Sequence, residues 1–227
     1  KDFKMAEELM YGKAANDLRK LDEKVDRITS LMKQKGLNSQ QISEYMYALH
    51  APERNALIKQ RMEEANEKAK AQKKKTRKVR EDGSGMTNQR AQKILNSFSP
   101  QQTESLDQIV DLIRDIQQDT RDTMVKFGLE SQETIDAWEN LFENYVPLGG
   151  LAADEMSSAT SSYPTGGGGL SVFGSTTKRA EGRKSQAENI LAQVVAQNSS
   201  IHIKARTNEA LQSLYNLVED NPNPNVW

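Results

Sequence analysis

Between residues 11 and 32, apolar side chains recur in a way that leaves little freedom for the fold. Tyr11, Ala14, Leu18, Leu21, Val25, Ile28 and Met32 are separated by 3, 4, 3, 4, 3 and 4 residues. That rhythm places all seven on one stripe of a helix, and Arg19, Lys20, Asp22, Glu23, Lys24 and Asp26 fill the other faces. The expected helix covers residues 5–35 and is about 45 Å long. A stripe this narrow needs a partner helix, from the same chain or from another copy. The seven residues are therefore candidates for an oligomerisation seam.

Punctuation along the chain extends the helical reading. "GLNSQQI" offers Gly36 for a left-handed helix end, Leu37 as the apolar residue after it, and Asn38 or Ser39 as the next cap. "GLESQETI" repeats the device at Gly128. "SFSPQQTES" reads as a helix start, with Ser99 as cap, Pro100 at the first position and Gln102 completing a capping box. Beyond it, Leu106, Ile109, Ile113, Ile116, Thr120 and Phe127 keep the 3/4 spacing, and Val110 and Leu112 widen the stripe. Ile135, Trp138, Phe142 and Tyr145 suggest a short amphipathic helix ending before Pro147. A last long helix is expected from Ala180 to Val218, with Leu191, Val194, Ile201, Ala205, Leu211 and Tyr215 inward.

Alternation at period two is absent except for a faint trace at Leu170–Phe173, so the expected class is all-α. The architecture expected is an extended helical bundle with coiled-coil character and one Gly/Ser-rich loop. Only 36% of residues are hydrophobic and 28% are charged, which suits long helices with narrow apolar faces. Four segments follow: long helices with a basic end (1–80), a helical bundle segment (81–146), the Gly/Ser-rich loop (147–180) and a C-terminal long helix (181–227). The loop reads either as a linker or as a lid that packs through Tyr163, Leu170, Val172 and Phe173.

Several kinds of chemistry are excluded or unsupported. With no cysteine, there are no disulfides, thiolate nucleophiles or Cys-based metal sites. No apolar run approaches the roughly 18–20 residues that a membrane helix needs. The two histidines, His50 and His202, have no local partner at metal-ligand spacing. "GGGG" at 166–169 lacks the Lys-Ser/Thr of a phosphate loop, and "GSG" at 83–85 is not a nucleophile elbow. No catalytic residue, metal site or cofactor is expected, and the chain is expected not to be an enzyme.

Two local features remain. Residues 68–80, "KAKAQKKKTRKVR", hold Lys68, Lys70, Lys73, Lys74, Lys75, Arg77, Lys78 and Arg80 and no acid, in a chain of net charge −1. They are candidates for contact with a phosphate backbone or another anionic surface, and without interleaved aromatics they are unsuited to stacking on bases. The bland alternative is a solvated helix end. The second feature is "YMYALHAPERN" at 45–55, which reads as a charged helix corner. Pro52 disfavours helical geometry at Ala51 and suits the start of a new helix, with His50 at one helix end and Glu53 and Arg54 at the next start.

The wording of that stretch carries a resemblance. "EYMYALHAPERN" is similar to a signature of very large polyvalent proteins encoded by phages and mobile elements. "EDGSGMTN" at 81–88, "NYVPLGGLA" at 144–152, "EGRKSQAENILAQVVAQ" at 181–197 and "NPNPNVW" at the end resemble further segments of that family, in the same order. The match runs from about residue 40 to 227. Gly149 and Gly150 stand where the family carries an arginine-bearing turn, so this chain departs from the family's pattern there. The resemblance implies a segment of a much longer protein, similar to the internal core or ejection proteins of short-tailed phages. It implies a helical, oligomer-forming virion component that leaves the particle with the genome and assists DNA delivery. Implied partners are other copies of itself, virion or portal-proximal proteins, DNA, and the host envelope as a peripheral contact. No small-molecule substrate is implied. Its implied location is the virion interior, then the host envelope or cytoplasm. The alternatives are a module that protects or tethers injected DNA through residues 68–80, and a non-catalytic regulatory region beside an enzyme domain.

Overall fold

The computed structural model describes residues 3–147 and 189–222. The chain is all-α. Among the described residues, six helices form a bundle: α1 (Phe3–Lys35), α2 (Ser39–Ala71), α3 (Asn88–Leu95), α4 (Pro100–Lys126), α5 (Gln132–Glu139) and α6 (Ile190–Asp220). No strand occurs among the described residues. The Gly/Ser-rich loop, with Tyr163, Leu170, Val172 and Phe173, lies outside them, apart from Pro147.

The helix boundaries follow local chemistry. α1 ends in a Schellman turn: Leu37 N–H donates to Met32 O at 2.9 Å, Gly36 N–H to Lys33 O at 3.4 Å, and Gly36 has φ +66°. Gly128 closes α4 the same way, with Leu129 bonded to Met124 O at 2.8 Å and φ +66°. Asn38 caps α2 and Ser99 caps α4, each in a full capping box with Gln41 and Gln102. Ser131 caps α5.

The bundle is organised around α6. Lys13 pairs with Glu209 and Asp17 with Arg206, so α1 and α6 run antiparallel. Asn198 reaches Ile116 O and Asn208 reaches Phe127 O, so α4 and α6 run parallel. The main core contains Leu21 and Ile28 of α1, Leu106, Ile109, Ile113 and Ile116 of α4, Ile190 and Val194 of α6, and the first half of α2. A smaller cluster at the other end holds Met124, Ile135 and Ile201.

Helix α2 corrects the expected corner. It runs unbroken from Ser39 to Ala71 with Pro52 inside it. His50, Pro52, Glu53 and Arg54 are therefore mid-helix residues. Proline in a helix interior sacrifices a hydrogen bond at a cost of about 3 kcal/mol. Here tertiary burial outweighs that cost: Ile42, Ser43, Tyr45, Met46, Tyr47, Ala48, His50, Ala51, Arg54, Asn55 and Ile58 are all buried. A helix covered on nearly every side around its proline has no reason to break where its local preference is weak.

Expectations for α5 and α6 are also revised. α5 stops at Glu139, so Phe142 and Tyr145 lie on a non-helical segment that returns across α2 and α4. α6 starts at Ile190 behind an Asn189 cap, and residues 180–188 of the expected helix lie outside the described residues. Tyr215 is 65% exposed, and Ala210 and Ser213 take the inward positions near it.

Candidate functional site

Among the described residues, three places gather polar or charged side chains. The first surrounds the middle of α2. Tyr47 donates its hydroxyl to Ser84 O at 2.6 Å. Asn55 accepts from Ser84 N–H at 2.8 Å and donates to Met86 O at 2.8 Å and to Asn88 Oδ1 at 2.7 Å. Gly83 lies so close to Ile58 that an added Cβ would sit 2.6 Å from its methyl group. Glu53 accepts from Asn144 through both the backbone N–H (3.1 Å) and the side-chain amide (2.6 Å). Arg114 and Gln117 of α4 bind Asn144 and the Tyr145 carbonyl from the other side. Ser43 accepts the first N–H of α6, from Ile190, at 3.0 Å. Residues 43–58, 81–88, 144–146 and 189–190 are thus interlocked.

His50 is the chemical oddity of this hub. It is fully buried, with Phe142 edge-on at 4.9 Å and Tyr145 at 6.3 Å, and neither ring nitrogen makes a well-formed hydrogen bond. Burial, reinforced by the nearby Arg54 guanidinium, lowers its pKa to about 4, against a slight opposing pull from the Asn144 backbone. It is a neutral ring at physiological pH. Tyr145 is 38% exposed overall, yet enclosure of its hydroxyl end raises the phenol's pKa, against opposing effects from Arg54 and Gln197. Tyr45 is also raised, by burial and then by its 2.7 Å hydrogen bond to Asp107. A shallow dimple opens nearby among the described residues, lined by Met46, Leu49, Val110, Arg114 and Tyr145.

The second place is a polar seam between α1, α4 and α6. His202 contacts Asp119 at 3.0 Å and lies 3.7 Å from Asp17, which also binds Arg206 Nε at 2.7 Å. Asn198 donates to Asp119, Thr120 and the Ile116 carbonyl. The hydrogen bond from His202, helped by Asn198 and Lys24, overcomes burial and lowers the Asp119 pKa to about 2. Burial alone would raise Glu209, but Lys13 and Arg206 outweigh it and lower it. Arg206 is pushed further up by Asp17 and stacks over Phe127 at 4.7 Å. His202 is therefore a partnered core histidine. No cluster of three or more His, Asp or Glu with metal-binding geometry exists among the described residues.

The third place is the basic run. Lys68 and Lys70 lie in the last turn of α2, and Lys73, Lys74, Lys75, Arg77 and Lys78 follow on a non-helical return. All seven are exposed, and none pairs with an acid among the described residues. Arg80 differs, being half-buried and bonded to Asp82 at 3.0 Å.

The proposed seam of α1 is placed as follows. Leu21 and Ile28 are buried in the chain's own core, and Leu18, Val25 and Met32 pack against it. Ala14 is half-buried, and Tyr11 is 75% exposed. The partner helices for the stripe come from the same chain, namely α6 and α4. Sequence reasoning missed Asp17, Asn55, Asn66, Ser84 and Asp119. Each is a common polar residue whose role arises only from a neighbour distant in sequence.

No described helix is long and apolar enough to cross a membrane. Comparison with protein-family models, curated proteins and solved structures finds no match.

Proposed function

We propose that this chain is a non-catalytic, structural segment of a larger internal virion protein of the polyvalent type, carried with a phage genome and assisting its delivery. The observation that favours this reading is the convergence at α2. The segments that resemble the family around residues 81–88 and 144–146 each bind the 45–55 stretch of α2 through hydrogen bonds that engage backbone groups. Residues used this way serve architecture. Partners under this reading are other virion proteins and further copies of the chain. An antibody against the chain should detect it in DNA-filled particles and not in the shells left after ejection. Its absence from filled particles would overturn the proposal.

A second reading, contact with DNA, is favoured by the position of the basic run. Beyond Ile58, α2 becomes mostly exposed and extends about 20 Å to Ala71. Seven exposed cations therefore sit at the tip of an arm, away from the core. With +8 in the run and −1 overall, the remainder of the chain is net −9, so the tip is the face a polyanion would meet.

A further inference from the structure

The basic run does not trail from α2 as a loose tail. Asn66, one and a half turns before the helix end, grips the returning backbone at Arg77. Its side-chain amide donates to Arg77 O at 2.7 Å, and its carbonyl oxygen accepts from Arg77 N–H at 2.8 Å. This two-point bond closes the segment between them into a defined turn. The helix end is also specified: Lys74 N–H bonds Ala69 O at 2.8 Å and Lys73 N–H bonds Lys70 O at 2.9 Å, a Schellman turn. Its left-handed position is held by Lys73, with φ 54°, where glycine would be easier. A lysine there costs about 1 kcal/mol in backbone strain, and such strain concentrates at functional positions.

Compensation of the helix dipole accounts for Lys68 and Lys70 in the last turn. It does not account for Lys73, Lys74, Lys75, Arg77 and Lys78, which lie beyond the helix end. With no aromatic residue in 68–80, stacking on unpaired bases is excluded as a binding mode, and a regular backbone of phosphates fits the side chains present.

We propose that Asn66 is a positioning residue that holds the turn 68–78 in a fixed shape for binding the phosphate backbone of duplex DNA. This rests on the second reading above and adds to it a preorganised site in place of a loose polycation. A positioned set of cations loses less conformational freedom on binding than a mobile tail.

The test is a titration of the full chain against a short mixed-sequence duplex, followed by fluorescence anisotropy across a salt series. Wild type should bind with a steep salt dependence. Asn66→Ala removes no charge, lies on an exposed arm and should leave the helical circular dichroism unchanged. It should weaken binding about three- to tenfold with a nearly unchanged salt slope. Replacing Lys73, Lys74 and Lys75 by Gln should instead flatten the slope by about 2–3. If wild type does not bind duplex, the DNA reading and the positioning role both fall. If Asn66→Ala binds like wild type, the positioning role falls and the DNA reading survives. Binding to anionic phosphatidylserine vesicles with none to duplex would overturn the proposal in favour of a membrane surface.

Discussion

Around Ile28, Ile113 and Val194, helices α1, α4 and α6 meet through close-packed apolar side chains, and α2 closes over them. A few turns further along, the same helices meet through Asp17, Asp119, Asn198, His202 and Arg206. The two ends solve different problems. Apolar packing is strong but indifferent to small shifts in register, since one aliphatic contact resembles the next. A hydrogen-bonded ion network has one satisfactory alignment and contributes little net stability. One end supplies free energy, and the other selects how α1, α4 and α6 line up.

The largest effect that could break this comparison is a cavity at the apolar end. Ile113→Ala should cost about 2–5 kcal/mol, read from the urea midpoint, because Ile113 is fully buried among residues from several helices. Ile201→Ala, in the smaller cluster, should cost less, at about 2 kcal/mol. Equal losses would mean that the two ends share the load.

Acid should separate the ends next. His50 is neutral when folded and has a pKa lowered to about 4, against 6.5 for the unfolded chain. Between those values the unfolded state binds the extra proton, so stability rises with pH in that window. Its contribution is complete above about pH 6.5 and is lost on acidification towards pH 4, by about 3 kcal/mol. His50→Phe should flatten stability across this range in urea melts taken at a series of pH values. An unchanged slope would place the acid sensitivity elsewhere. Asp119, at the polar end, acts lower. Its contribution is present above the ordinary carboxylate range and disappears as pH falls to about 2. With 38% of that side chain exposed, solvent screening holds the effect below about 1 kcal/mol. The apolar end is thus the first to feel mild acid.

At the polar end, single and paired replacements should differ. Asp17→Ala leaves Arg206 and His202 facing each other across a buried gap, and should cost about 2 kcal/mol by thermal or urea melts. Asp17→Leu combined with Arg206→Met should recover most of that, to within about 1 kcal/mol of wild type. A double variant as unstable as the single one would show that the network contributes stability as well as register.

Much of this organisation was legible in the sequence where the cause is local. The α1 stripe, the glycine turns at Gly36 and Gly128, and the Ser99 capping box each depend on residues within one turn of each other. The α2 reading failed because Pro52 speaks for a break and only the surrounding bundle speaks against it. Tyr215 fits the apolar spacing of α6 but falls beyond the reach of its neighbours. Asp17 and Asp119 look like ordinary surface acids until the antiparallel pairing of α1 with α6 sets residue 17 beside residues 202 and 206. Asn66 gives no signal at all without knowing where Arg77 returns.

The two glycine turns give the finest version of the comparison, because each end of the bundle has one. Gly36 and Gly128 share φ +66° and the same pair of backbone bonds. Alanine at either position meets the left-handed penalty of about 1 kcal/mol. Around Gly36 an added Cβ meets nothing within 4 Å, so the backbone term is the whole cost. Around Gly128 it would approach Gln212 Nε2 at 3.2 Å, and that amide makes a long 3.4 Å bond to Phe127 O. The Gln212 side chain is flexible and largely in solvent, so it can swing aside and give up only that weak bond. Gly128→Ala should therefore exceed Gly36→Ala by no more than a few tenths of a kcal/mol in parallel thermal melts. A larger gap would mean that Gln212 is fixed by the polar end, extending the aligned network from Asp17 to the foot of α4.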